Sequence, residues 1–223
     1  MPLVPLGEDD EPQSGEKYPE LLPILALKNT VLFPGIVIPI TVGRERSIKA
    51  INKAYSEDKI IAVLSQKEDK IEDPKFEDLY EVGTIARIVK ILRMPDGTIT
   101  AILQGRKRGL LTEILTDTPY MQGMVTALEY VMPSNALEFE AMVASILDMA
   151  KQIIELSPNI PSEAMMMLNN INSHGFLLNF IASNLGTKVT EKQKILEISD
   201  LREKANVILE KMENELRLLE LKD

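Results

Sequence analysis

The chain has 223 residues, 45 % of them apolar and 26 % charged, enough to bury the core of one large domain or two modest ones. No apolar run approaches the roughly 20 residues needed to cross a bilayer, so no membrane association is expected. A formal charge of −9 argues against phosphate-backbone binding, and the absence of cysteine excludes disulfides, thiolate nucleophiles and Cys-containing zinc sites.

Residues 1–20 combine prolines, glycines and six acids (Glu8, Asp9, Asp10, Glu11, Glu16, Glu20) with a single base, Lys17. Such a composition cannot offset the entropy of ordering, and a disordered acidic tail is expected. The opening residues lack a basic n-region followed by a long apolar stretch, so a cytoplasmic protein is the default reading.

From Leu21 onward, short apolar runs broken by Pro, Gly and Asp predict strands joined by turns. Leu21 to Leu27 and Val37 to Val42 read as strands around the turn Phe33-Pro34-Gly35. After Gly43 the spacing of Ile48, Ile51 and Tyr55 predicts a helix of about ten residues. Ile60 to Leu64 reads as a buried strand, followed by a charged, solvent-facing loop from Gln66 to Asp73. Val82 to Arg93 and Thr98 to Gln104 form the clearest hairpin, because Pro95-Asp96-Gly97 supplies a fixed φ, a turn-forming side chain and a φ > 0 position in order. Tyr120 to Tyr130 adds another strand. Six or seven strands before Met132-Pro133 suit a barrel, which removes exposed edges.

Beyond Pro133 the alternation gives way to helical periodicity. Phe139, Val143, Ile146 and Ala150 mark an amphipathic helix ending near Ser157-Pro158. Pro161 is placed to open a second helix. Ser173 is placed to cap a third, with Gly186 as its left-handed C-terminal cap. Thr190 to Gln193 has a capping-box pattern for a fourth. Asp200 with Glu203 opens a last, long helix carrying Leu201, Ala205, Ile208 and Met212. No stop signal precedes Asp223, which suggests that the natural chain continues. The fold class expected is α+β: a tail over 1–20, a barrel over 21–132 and a helical subdomain over 133–223.

The search for chemistry returns little. There is no phosphate-binding glycine loop, no nucleophile elbow and no metal-ligand cluster, so no catalytic, cofactor or metal residue is assigned. His174, the one histidine, reads as a surface or helix-start residue. The run Gln104-Gly105-Arg106-Lys107-Arg108-Gly109 is the dense basic cluster. It reads as a solvated turn, with a phosphate contact as the rival. Met165, Met166 and Met167 cover more than one helix face, so at least one is expected to be exposed. They serve either as core filler or as an adaptable surface. Phe33, Pro34 and Ile36, with Met94 and Pro95, sit at loop or hairpin tips. Either these tips share an exposed apolar patch of the kind that binds protein, or they fold back over a barrel end.

The residues Leu22-Pro23-Ile24-Leu25-Ala26-Leu27-Lys28-Asn29-Thr30-Val31-Leu32-Phe33-Pro34-Gly35 resemble the opening of the N-terminal domain of Lon proteases, with Ala26 where the family has a second proline. Val42 to Ile48, Tyr80 to Ala86 and Leu92 to Thr98 are similar to three further family blocks. Ile160 to Glu163, Leu168 to Ile171 and Lys192 to Glu197 resemble the segment that leads to the family's ATPase. Related barrels occur in stand-alone proteins and in a ubiquitin-ligase receptor, but the helical half is similar to bacterial Lon.

The resemblance implies a PUA-like barrel with a helical bundle, in a cytoplasmic homohexamer that captures unfolded or degron-bearing proteins. It also implies an ATPase using Mg-ATP and a Ser-Lys peptidase, neither within these residues. Phe33, Pro34, Ile36, Met94 and Pro95 are the first candidates for substrate contact. Arg44, Glu45, Arg46 and Met165 to Met167 come second. An RNA-binding or stand-alone interaction module is the alternative.

Overall fold

The computed structural model describes residues 16–161 and 163–222, so residues 1–15 of the expected tail lie outside the described residues. It divides into two compact units at Leu128/Glu129.

The first unit is built on six strands: β1 (Leu21–Leu27), β2 (Val37–Val42), β3 (Ile60–Ser65), β4 (Val82–Arg93), β5 (Ile99–Thr116) and β6 (Gln122–Ala127). Their order is β2-β5-β4-β3-β1-β6, and β6 also pairs with β5. Five strands therefore close a ring, with β2 added outside it along the first half of β5. β1 and β3 are parallel and every other pair is antiparallel. The connection between these two parallel strands carries α1 (Glu45–Ser56), which packs on both.

This arrangement explains the sequence pattern. β1 has strands on both edges and α1 on one face, so all its residues from Leu22 to Leu27 are buried and the run is continuously apolar. Each fully buried Leu or Ile there contributes about 1.5–3 kcal/mol. α1 turns Ser47, Ala50, Ile51 and Ala54 inward, one residue round from the face marked by Ile48 and Tyr55. The small residues of that face let the helix sit close to the sheet.

The bulges are where sequence reading fails first. β5 does not end at Gln104 but runs on to Thr116. The register shift between Ile85 and Ala86 leaves Arg106 as an extra residue, and a second shift leaves Val89 extra on β4. The presumed basic turn is thus the bulged middle of a barrel strand, with Gln104, Gly105, Arg108 and Gly109 all buried.

Two other expectations at the start of the chain need correction. Gln66 opens the charged loop but is buried, donating to the carbonyls of Glu68 and Ile71 at 3.1 and 2.9 Å. Residues 16–20 are held against the barrel: Tyr18 packs on the core, and Arg106 donates to Glu16 at 2.9 Å. Burial of Glu16 works against its charge. Hydrogen bonds from Tyr18 and Arg106 outweigh that and hold its carboxyl below the ordinary value, while burial and Glu16 push Tyr18 up to about 12.

The second unit is helical: α2 (Ala136–Leu156), α3 (Glu163–Asn169), α4 (His174–Asn184), α5 (Val189–Glu197) and α6 (Leu201–Glu220). The side chains of Asn135, Ser173 and Asp200 each accept from the amide three residues on, which satisfies helix-start donors of α2, α4 and α6. Phe139, Val143 and Ile146 of α2 belong with Leu201, Ala205 and Ile208 of α6 to the buried set. Lys204, 1 % exposed, is accommodated by the side chain of Asn179 and by the hydroxyl and ring face of Tyr130. Two cap expectations are corrected. Gly186 does not adopt a left-handed conformation; α4 ends at Asn184 and the chain leaves it through an extended Leu185. Thr190 lies inside α5, whose N-cap is Lys188.

Candidate functional site

The β4–β5 hairpin outruns the strand beside it. β3 begins at Ile60, opposite Arg87, after Lys59 turns the chain away at φ 68°, and the last backbone bond runs from the Ile88 amide to the Lys59 carbonyl at 2.8 Å. Among the described residues, β4 from Val89 to Arg93 therefore has β5 on one edge and no strand on the other.

Three large apolar side chains stand out in water on this projection: Val89 at 49 % exposure, Leu92 at 40 % and Met94 at 40 %. Register places Lys90, Ile102 and Pro39 in one row across β4, β5 and β2. Leu92, Thr100 and Thr41 form the next, with the two threonine hydroxyls 2.8 Å apart. Arg87, Lys90 and Arg93 are exposed too, and no acid occurs from Val82 to Pro95. Along β4 itself the exposed charges are positive, whereas Asp96 at the turn and Glu57 and Asp58 just before β3 are negative.

The tip is rigid. The Met94 amide donates to the Thr98 carbonyl at 2.9 Å, Gly97 holds φ 89°, and Asp96 accepts from the Thr98 amide at 3.0 Å and hydroxyl at 2.6 Å. Those two bonds, the hydroxyl's first, hold the Asp96 carboxyl below its ordinary value. Met94 and Pro95 are thus presented on a fixed turn.

The other expected residues are not part of this surface. Phe33, Pro34 and Ile36 are buried, Phe33 completely, so the shared-patch reading fails, and the fold-back reading holds for this tip but not for the exposed Met94 and Pro95. Their turn lies against Gly105, with the Gly35 amide donating to the Gly105 carbonyl at 2.8 Å and the Gly105 amide to the Ile36 carbonyl at 2.8 Å. Gly105 is seven residues along β5 from the hairpin turn, about 23 Å at strand spacing, so the two tips form no single patch.

Arg44 is a structural anchor: it donates to Gln66, to the Glu72 carbonyl and to the Ala26 carbonyl at 2.8, 3.0 and 2.9 Å. Glu45 pairs with Lys49 at 2.9 Å and Arg46 with Asp117 at 2.7 Å, both at the surface. Met165 and Met167 are half-buried on α3 and Met166 is 67 % exposed, within the second unit. His174 starts α4, with its ring centroid 5.9 Å from that of Phe139 in an edge-on arrangement. The basic cluster loses its nucleic-acid reading, since Arg108 is 1 % exposed and Arg106 is held by Glu16.

Sequence reasoning missed Val89, because a bulge that turns an apolar residue outward leaves no local signature. It reached Leu92 only as a neighbour of Met94. The signal available was length: β4 has 12 residues where β3 has six, so one must outrun the other.

No helix among the described residues is long and apolar enough to cross a membrane, and no group of three or more potential metal ligands occurs among them. A family model described as the ATP-dependent protease La (LON) substrate-binding domain matches residues 21–214. The Lon protease of Flavobacterium johnsoniae is 48 % identical over 99 % of this chain and 27 % of its own length. That of Cytophaga hutchinsonii is 40 % identical over 100 % of this chain and 27 % of its own. The chain thus spans 27 % of the length of these curated relatives.

Among solved structures, the N-terminal domain of the Mycobacterium avium complex Lon protease has a TM-score of 0.70 at 20 % identity, over 86 % of this chain and 98 % of that one. The Lon N-terminal domain protein from Xanthomonas campestris has 0.60 at 17 %, over 85 % and 96 %. These two likenesses speak for the fold alone. With the family model covering most of its length and relatives this similar along all of it, the chain belongs to the Lon protease family and corresponds to that family's N-terminal substrate-binding domain.

Proposed function

We propose that this chain captures unfolded or degron-bearing polypeptide for an ATP-dependent Lon protease, and that the projecting β4–β5 hairpin makes the contact. The observation that carries the reading is the trio Val89, Leu92 and Met94, exposed together on a strand whose geometry is fixed by a tight turn. Apolar groups held in water in this way gain most from a partner that brings its own exposed apolar side chains. A folded protein buries such groups, and an unfolded one does not. Assembly into a ring, proposed here as a cytoplasmic homohexamer, raises the effective concentration of weak sites.

The ATPase using Mg-ATP and the Ser-Lys peptidase are assigned to the rest of the family's length. These 223 residues are expected to hydrolyse neither ATP nor an unfolded casein, as stringent turnover assays of the purified chain will show. The binding reading has a direct test. Replacing Leu92 and Met94 together by Ser should weaken binding of a permanently unfolded polypeptide at least about tenfold, the scale of losing an interface hot spot. The melting temperature should stay within about two degrees of the parent, because exposed side chains contribute little to a core. Unchanged affinity in a normally folded variant rules the hairpin out.

A further inference from the structure

We propose that the open edge of β4, from Val89 to Arg93, binds acidic, partly apolar polypeptide segments by adding them to the sheet as an extra strand. This rests on the hairpin reading above and names the manner of binding and the class of segment taken.

Hydrogen-bond phase supplies the first argument. Antiparallel residues alternate between bonding their neighbour and facing away from it. The Met94 amide bonds Thr98, and the register continues as Arg93 with Ile99, Leu92 with Thr100, Ile91 with Ala101 and Lys90 with Ile102. Lys90, Leu92 and Met94 therefore spend their backbone groups on β5. Ile91 and Arg93 turn theirs, two donors and two acceptors, to the side that bears no strand among the described residues. An added strand continues the line of β3 past Lys59, where that strand's own chain has turned off. β2, which ends the strand order, is a poorer edge, since Pro39 in its middle has no amide to donate.

Charge supplies the second argument. Lys90 and Arg93 flank Leu92 on the open strand, with Arg87 below them and no acid until Asp96 at the turn. Basic residues on an edge disfavour pairing with a second copy of the same strand, because like charges would stand opposite one another. They favour a guest with Asp or Glu beside Lys90 and Arg93 and an apolar residue beside Leu92. Main-chain bonds then give affinity with little regard for exact sequence, which suits a binder of varied chains.

The test uses the 223-residue chain and a labelled ten-residue peptide repeating Glu-Val-Val, whose three-residue spacing puts Glu beside Lys90 and Arg93 and Val beside Leu92. By amide exchange, the Ile91 and Arg93 protons should become protected on peptide binding, whereas those of Lys90 and Leu92 are protected beforehand. A matched peptide with Lys for Glu should bind at least about tenfold more weakly at low salt, with the gap closing as salt rises. Arg93→Pro, which removes one outward donor, should bind the Glu peptide about fivefold more weakly than Arg93→Ala, the scale of one backbone hydrogen bond. If Arg93→Pro misfolds, a peptide N-methylated at alternate amides serves instead and should lose affinity in one of its two registers. Binding without protection at Ile91 and Arg93, or with equal affinity for all these ligands, overturns strand addition and leaves the hairpin reading standing. A Leu92 and Met94 double variant that binds like the parent overturns the hairpin reading itself.

Discussion

Replacing Phe33 by Ala is expected to destabilise the first unit by about 3–5 kcal/mol, the range for removing a fully buried aromatic ring. Phe33 is 0 % exposed and sits between Leu32 and Ile36, at 3 % each. The surrounding turn has little freedom to collapse into the space. Thr84 donates its hydroxyl to the Leu32 carbonyl at 2.6 Å, the Ile36 amide bonds Phe33 at 3.2 Å, and two backbone bonds pin the turn to Gly105. For a unit of this size each kcal/mol lowers the melting temperature by roughly 4–8 °C, so a drop well beyond 10 °C is expected. Followed by a barrel-specific probe, a variant that melts within three degrees of the parent would show that Phe33 is not the core residue its burial makes it. The contrast with Leu92 and Met94 is sharp, since their loss should cost binding and leave stability alone.

Phe33-Pro34-Gly35 and Met94-Pro95-Asp96-Gly97 show what the sequence could and could not say. Both were legible as turns, and Gly35 and Gly97 do hold positive φ. Their burial was not legible, because it depends on what crosses them. The first turn lies on β5 at Gly105, whereas the second projects past the end of β3. Elements governed by local grammar came through well: β1 and β2 by their apolar runs, and α4 and α6 by Ser173 and Asp200 at their starts. The second half of β5 was lost for a physical reason. Gly105, Gly109 and the cations between them have turn chemistry, and only the partner strands reveal that the glycines serve close approach and Arg106 a bulge. The candidate site was half visible, with Met94 and Pro95 at the tip legible and the bulged Val89 not. Family membership was legible from motif blocks, which record such long-range requirements without explaining them.

Gly105 makes that requirement measurable. A methyl group built on it would stand 2.3 Å from the Phe33 carbonyl oxygen, 3.1 Å from the Phe33 carbonyl carbon and 3.2 Å from the Pro34 α-carbon, all of them backbone. No rotamer change relieves such contacts, so the Phe33 turn must lift off β5. Gly105→Ala should therefore cost about 1–3 kcal/mol for overpacking. Weakening the two Gly105 backbone bonds should cost up to about 1 kcal/mol each in addition. Lifting the turn also draws Phe33 out of its site, so the two substitutions damage one structure in two ways. In a double-mutant cycle the combined loss should fall short of the sum of the single losses by about 1 kcal/mol or more, as expected for residues that share a contact. Full additivity would mean that the Phe33 ring stays seated while the turn moves. The glycine would then be needed only for local room on β5, and it would no longer be the reason a Phe-Pro-Gly turn can close over this barrel.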